Sequence, residues 1–281
     1  MREPQTYLRE PSFTIADLAL HIDELSLWSA PFGLRLLEQV PMLAEGKVLD
    51  VGTGTGYMAT ELAERYGPAT SVYALDTWKE GLETLQRKLD FRHLTNVSIL
   101  HADGNAMPLP SNSIDLILCC LGINNFADPA AVLRECHRVA KTQATLLVAT
   151  NLVGHMSEFY DVFREVIASS CSAELLPNFD VHVAHRGTTD SMARLLQSSG
   201  FAVTEVQVDS FSMRFANAAA LFHHTLIQFG FLPAWKELVP VDQRPRVFQL
   251  LEQRLDEIAE RTGELRLTIP IGVFRGSKLH D

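Results

Sequence analysis

The chain alternates short, wholly apolar runs with longer stretches of helical spacing. Lys47–Thr53 (KVLDVGT) is apolar and ends in glycines, and Tyr57–Tyr66 continues with apolar positions three and four residues apart. Ser71–Asp76, a helical stretch around Lys79–Phe91, and Val97–Asp103 follow. Then come Ile114–Leu121 (IDLILCCL), a helix over Asp128–Val139, and Ala144–Asn151. Strands without polar alternation need cover on both faces, so this order predicts a parallel α/β sheet between two helical layers.

After Asn151 the rhythm changes. A helix over Glu158–Ser170, a loop holding His182 and His185, and a helix over Asp190–Ser199 precede two strand-like segments, Phe201–Ser210 and Glu264–Phe274. Between these two lies helical sequence, first the uncharged stretch Phe215–Trp235 and then the amphipathic run Val247–Arg261. Phe215–Trp235 is long enough to cross a bilayer, but Asn217, His223, His224, Gln228, Gly230 and Pro233 interrupt it, which favours a buried helix over a membrane span. An insertion of this length reads as a functional cap. Its apolar content, including Phe211, Phe222, Phe229, Phe231 and Trp235, exceeds what a helix pair needs and points to an apolar ligand pocket or, alternatively, to a homodimer interface.

Composition narrows the class. With 281 residues, 47% hydrophobic and 21% charged, the chain is globular and not collagen-like, disordered or a disulfide scaffold. Lys plus Arg total 24 against 34 Asp plus Glu, a net charge of −10 that disfavours a nucleic-acid partner; the densest basic stretch, Arg87–His93, is broken by Asp90 and reads as a solvated helix end. Four cysteines (Cys119, Cys120, Cys136, Cys171) without CxxC spacing suit reduced thiols in the cytoplasm, and the charged, proline-bearing N-terminus lacks a secretory apolar region.

The chemistry concentrates in VLDVGTGTGYMA (Val48–Ala59). A buried strand carries Asp50 near its end, and Gly52, Gly54 and Gly56 open a helix. Glycines allow a tight turn and close approach of backbone to ligand, and the helix start offers free N–H groups. The second strand ends in Asp76, 20 residues beyond Gly56, placed to accept both hydroxyls of a ribose. That feature suits a nicotinamide dinucleotide or an adenosyl cofactor. Asp103 at the end of the third strand can accept an adenine amino group, and the glycine spacing departs from GxGxxG; both favour the adenosyl reading.

These residues resemble class I S-adenosylmethionine-dependent methyltransferases, in particular the small-molecule branch that includes the ubiquinone and menaquinone methyltransferases. The resemblance covers Lys47–Asn151 closely and the remainder to Phe274 more loosely. It implies a Rossmann-like sheet of seven strands with the last antiparallel, helices on both faces, and a helical insertion between the last two strands. It also implies one domain over 1–281: an N-terminal helical lid at 1–45, a cofactor core at 46–151, and substrate-cap insertions at 152–189 and 211–263. By resemblance, Asp50 with the backbone of Gly52, Gly54 and Gly56 holds the methionine moiety and Asp76 the ribose. Thr77 or Trp78 borders the adenine, Asp103 with the backbone of Gly104 and Asn105 reads its edge, and Leu121 with Gly122 lies near the sulfonium. The chain departs from the family at Lys141–Ala144, where a Lys-Pro-Gly-Gly turn is usual, and at Gly122–Asn125, where a histidine is frequent.

The expected activity is methyl transfer from S-adenosyl-L-methionine, leaving S-adenosyl-L-homocysteine, to an oxygen or carbon of a small, largely apolar or aromatic acceptor. The alternative is a cofactor-binding regulatory module without turnover. Alignment of donor and acceptor supplies most of the rate in such a displacement, so a dedicated base is dispensable. If one is used, His155 after the fifth strand, Asn124 and His223 are the candidates, with His182, His185 and His224 behind them. His223 and His224, adjacent on a helix, face different directions with no Asp or Glu at ligand spacing, and no metal is expected. Asn124 and Asn125 serve equally as caps for the helix beginning near Pro129. Trp28 and Phe32, four residues apart in the amphipathic Asp23–Val40, belong either to a fold over the cofactor or to a helix on the sheet.

Overall fold

A computed structural model describes residues 5–9, 14–23, 28–170 and 173–279; Cys171 and part of the Asp23–Val40 segment lie outside the described residues. Helices α1 (Ile15–His21) and α2 (Ala30–Gln39) precede β1 (Gly46–Val51). Strands and helices then alternate through α3 (Tyr57–Tyr66), β2 (Thr70–Asp76), α4 (Lys79–Arg92), β3 (Val97–His101), β4 (Ile114–Cys120), α5 (Pro129–Val139) and β5 (Ala140–Asn151). Helices α6 (Ser157–Ser170), α7 (Leu176–Val183) and α8 (Thr189–Ser198) lead to β6 (Phe201–Phe215). Helices α9 (Ala218–Phe222), α10 (Thr225–Gly230), α11 (Leu232–Glu237) and α12 (Arg244–Thr262) separate it from β7 (Leu265–Lys278).

Local chemistry sets several of these ends. Asp128 caps α5 by accepting from the Ala131 amide with Pro129 at the first turn, Thr188 caps α8, and α12 stops at Gly263 with φ +86°. Neither Asn124 nor Asn125 caps α5, which corrects that expectation. The departure at Lys141–Ala144 is also explained: extended backbone continues through it, with Gln143 at φ +65° and a register shift against β4 between Ile114 and Leu116.

The seven strands lie in the order β3-β2-β1-β4-β5-β7-β6. Pairs β1–β2, β1–β4, β2–β3 and β4–β5 are parallel, and β7 runs antiparallel to β5 with Asn151 opposite Ile271. Leu49, Val72, Ile117 and Leu147 are fully buried, as strands covered on both faces require. The chain leaves β1 for β2 on one side and returns to β4 on the other, so a crevice opens at the carboxyl edge between them.

The chain forms two compact units. One comprises Thr14–Asn151, Gly187–Asp209 and the chain from Ile271 onward, and holds the sheet. In it α2 packs on β5 and β4, fixed by Arg35 to Asp209 at 2.6 Å and by the Arg275 guanidinium donating to Gln39 O at 3.0 Å.

The other unit comprises Leu152–Arg186, Ser210–Pro270 and the short turn Thr6–Leu8. Its α12 packs on α6 and α9 around an aromatic core. Phe159 stacks on Trp235 at 4.0 Å, Phe222 lies edge-on to both, and Phe163 and Phe248 close the cluster; all five are fully buried. Much of the insertion's apolar surface, Phe222, Phe231 and Trp235 among it, is thus buried in this unit's own core, whereas Phe211 and Phe229 are half-buried. Phe215–Trp235 breaks into three short helices, and among the described residues no helix is long and apolar enough to cross a membrane. His182 lies on α7, not in a loop, because Phe179 packs on Tyr160 and Phe163 and anchors a helix there.

Candidate functional site

The carboxyl edge of the sheet gathers the predicted acidic residues. Parallel register places Asp50 beside Ala74, and Asp76 beside His101. The tips of β1, β2 and β3 are therefore adjacent, with Asp103 two residues beyond β3.

Between β1 and α3 the chain turns through left-handed backbone at Gly54 (φ +56°) and Gly56 (φ +79°). A Cβ on Gly54 would meet nothing within 4 Å, so the loop presents bare backbone to open space. At Gly56 a Cβ would lie 2.2 Å from a Leu85 methyl, so this glycine lets α4 close on the loop. Gly81 does the same from α4: a Cβ there would come 3.0 Å from Gly54 O and 2.7 Å from the Trp78 ring. Sequence reasoning passed over Gly81, though a glycine in a helix's first turn beside a tryptophan was a signal of close approach.

Asp76 ties the loop to the second strand. One carboxylate oxygen accepts from the Gly54 amide at 2.7 Å and the other from the Trp78 amide at 2.8 Å. Each oxygen retains a lone pair, so the group can still receive two hydroxyls. Asp50 is buried at 1% exposure and accepts from Thr53 Oγ1 at 2.6 Å. Burial pushes its pKa up to about 7, with the Asp76 charge adding to that and the Thr53 and Ala59 hydrogen bonds opposing it. Asp103 is exposed and accepts from the Asn105 amide at 2.8 Å in a tight turn, while Gly104 is buried with Val132 where its Cβ would be. Thr77 is exposed and Trp78 half-buried.

Past β4, Leu121 holds φ +63°, a conformation costly for a non-glycine residue. Gly122 packs there against Phe126 and Gly52, so the end of β4 meets the glycine loop. The Asn124 amide nitrogen donates to Thr150 Oγ1 at 2.7 Å and Asn151 Oδ1 at 2.6 Å, fixing the side chain to the end of β5.

An unexpected group braces the loop. Asp23 accepts from Thr55 Oγ1 at 2.5 Å and pairs with Lys88, whose ammonium also donates to Thr55 O at 2.8 Å. Lys88, expected in a solvated helix end, is thereby half-buried. No local motif announces three residues this far apart in sequence.

The candidate histidines lie in the helical unit. His155 is buried at 3% exposure with its ring 5.4 Å from Phe231. Its pKa is held well below the usual range by burial, then by Arg186 and His182, so it is neutral at physiological pH. His182 Nε2 lies 3.1 Å from the Tyr160 hydroxyl, so the structure brings His155 and His182 into one group with Tyr160 and Arg186. His223 is held elsewhere, at 3.1 Å from Thr6 Oγ1 and 2.9 Å from Ala219 O, and His224 packs on Phe215.

The methyltransferase-domain family profile matches residues 49–148. A demethylmenaquinone methyltransferase of Geobacillus stearothermophilus is 30% identical over 176 residues, taking in 59% of this chain and 75% of that protein. The crystal structure of an S-adenosylmethionine-dependent methyltransferase from Aquifex aeolicus gives a TM-score of 0.52 at 23% identity, over 69% of this chain and 92% of that one. The Haemonchus contortus phosphoethanolamine N-methyltransferase 2, in complex with phosphomonomethylethanolamine and S-adenosylhomocysteine, gives 0.55 at 14% identity, over 96% of this chain and 61% of that one. These two structures share the fold.

Proposed function

The chain belongs to the class I S-adenosylmethionine-dependent methyltransferases, and from that premise we propose that it methylates an oxygen or carbon of a small, largely apolar or aromatic acceptor, with the cofactor held at the three strand tips. What carries the acceptor class is the likeness to a demethylmenaquinone methyltransferase over three quarters of that protein's length. Family membership disfavours the alternative of a module without turnover.

The residues at the sheet edge fit such a cofactor. Backbone open at Gly54 admits a ligand where any side chain would fill the space, and Asp50 supplies a buried negative charge suited to an ammonium group. Asp76 has acceptor capacity left for two ribose hydroxyls, and Asp103, one of whose oxygens accepts from the Asn105 amide, has its other carboxylate oxygen to offer to the edge of an adenine. When bound, S-adenosylmethionine supplies a methyl group already activated by its sulfonium. The protein's contribution is alignment, which is worth on the order of 7 kcal/mol or more. The bracing of Thr55 by Asp23 and Lys88, and of Gly54 by Asp76, keeps the loop in place for that task.

The reading is tested by incubating the protein with methyl-labelled S-adenosylmethionine and a panel of naphthoquinols, phenols and polar amines. Label entering the organic-extractable products supports it; label found only in the polar amines contradicts it.

A further inference from the structure

We propose that a basic cavity in the helical unit binds a small organic phosphate, a phosphate monoester on a body of a few carbons. The cavity measures about 270 Å³, and its walls come from α10, α11, the first residue of α12 and the chain around the turn Thr6–Leu8. All of these belong to the one compact unit.

Two sets of contacts build the walls. Tyr7 is buried, its ring stacks on Phe222 at 4.8 Å and 11°, and its hydroxyl donates to Glu252 on α12. The turn is thereby fixed to the aromatic core, and Arg9, two residues on, lines the cavity. Arg244 enters from α12. Its Nε–H donates to Lys236 O at 2.9 Å and Val239 O at 3.0 Å, which holds the plane of the guanidinium. Its four terminal N–H groups and the whole Arg9 guanidinium have no acceptor among the described residues. Lys236, only 8% exposed, is the third cation in the lining, and Glu237 is the single carboxylate among the described residues there.

Three cations against one carboxylate make a positive hollow in a chain of net charge −10. Like charges held around one concave space repel, and an anion between them reverses that term; planar guanidinium forks match phosphate oxygens. The remaining lining points to an organic body on that anion. Leu232 and Pro233 are apolar, and the Gln228 amide, without a protein partner among the described residues, can hydrogen-bond a hydroxyl. The space is many times what one water needs, yet it falls just below the roughly 300 Å³ at which pockets for drug-sized ligands begin. It suits a short phosphorylated molecule better than a bare ion or a bulky aromatic one. The proposal does not rest on the methyltransferase reading.

The test is calorimetric titration of the full chain with glycerol 3-phosphate and 3-phosphoglycerate, against D-glycerate and inorganic phosphate, with and without saturating S-adenosylhomocysteine. The expected result is that at least one organic phosphate binds at least about tenfold more tightly than either comparator, and that Arg9→Gln and Arg244→Gln each weaken it about fivefold or more. S-adenosylhomocysteine should leave that binding in place. The proposal is overturned by an absence of organic-phosphate binding at millimolar concentration, by glycerate or inorganic phosphate binding as well, by unchanged affinity in Arg9→Gln, or by displacement with S-adenosylhomocysteine. Should Arg244→Gln fail to fold for want of its clamp on the end of α11, Arg9→Gln decides alone, since the exposed Arg9 side chain makes no contact that folding needs.

Discussion

Asp50 couples the proposed cofactor site to pH. Its carboxyl is buried, and burial, with the Asp76 charge, raises its pKa from 3.8 to about 7. An ammonium group binds to the ionised form, so below about pH 7 binding expels a proton. The Kd for S-adenosylhomocysteine then exceeds its limiting value about 2-fold at pH 7, about 11-fold at pH 6 and about 100-fold at pH 5, the last equal to about 2.7 kcal/mol. Calorimetry in two buffers of different ionisation enthalpy should show close to one proton released at pH 6. Asp50→Asn should bind weakly at pH 8 and lose the slope. The stability of the ligand-free protein moves in the opposite sense. A folded-state pKa above the unfolded value means that the group's stabilising contribution is complete below about pH 4 and is lost as pH rises through about 7, by up to about 4 kcal/mol. Ligand-free Asp50→Asn should accordingly melt higher than the parent at pH 8. A Kd that is flat from pH 5 to 8, or a slope that persists in Asp50→Asn, refutes the reasoning.

Other perturbations test separate parts of the account. Gly56→Ala places a methyl 2.2 Å from Leu85 at positive φ and should cost about 2–3 kcal/mol in denaturant titration; a loss below about 0.5 kcal/mol would mean that the loop has room. Phe222→Ala should cost about 3–5 kcal/mol without changing the sedimentation coefficient, whereas intact stability with a changed oligomeric state would return this residue to an interface role. Asp23→Asn should weaken S-adenosylhomocysteine binding several-fold by releasing Thr55 and Lys88, and unchanged affinity would make that brace irrelevant to the loop.

The sheet was legible because its signals are local. The wholly apolar runs at Val48–Val51, Val72–Leu75 and Leu116–Leu118 permit no other placement than a doubly covered strand, and glycines followed by a helical pattern mark the loop after β1. The acidic strand ends at Asp50 and Asp76 fell where parallel register brings them together. The core of the insertion was not legible because composition gives the amount of apolar surface and not its partner; Phe159 and Phe163 on α6 and Phe248 on α12 supply faces for Phe222 and Trp235 that no single segment reveals. The same limit hid Asp23 with Lys88, and Trp235 with Tyr160, each pair joined only by tertiary packing.

The most direct measurement is a crystal structure of the protein with S-adenosylhomocysteine. The account predicts both ribose hydroxyls on the Asp76 carboxylate, the amino group at Asp50 and the adenine edge at Asp103, with the homocysteine backbone passing Gly54. A ligand whose ribose and amino groups engage other side chains, leaving Asp50 and Asp76 in their present contacts, would contradict it.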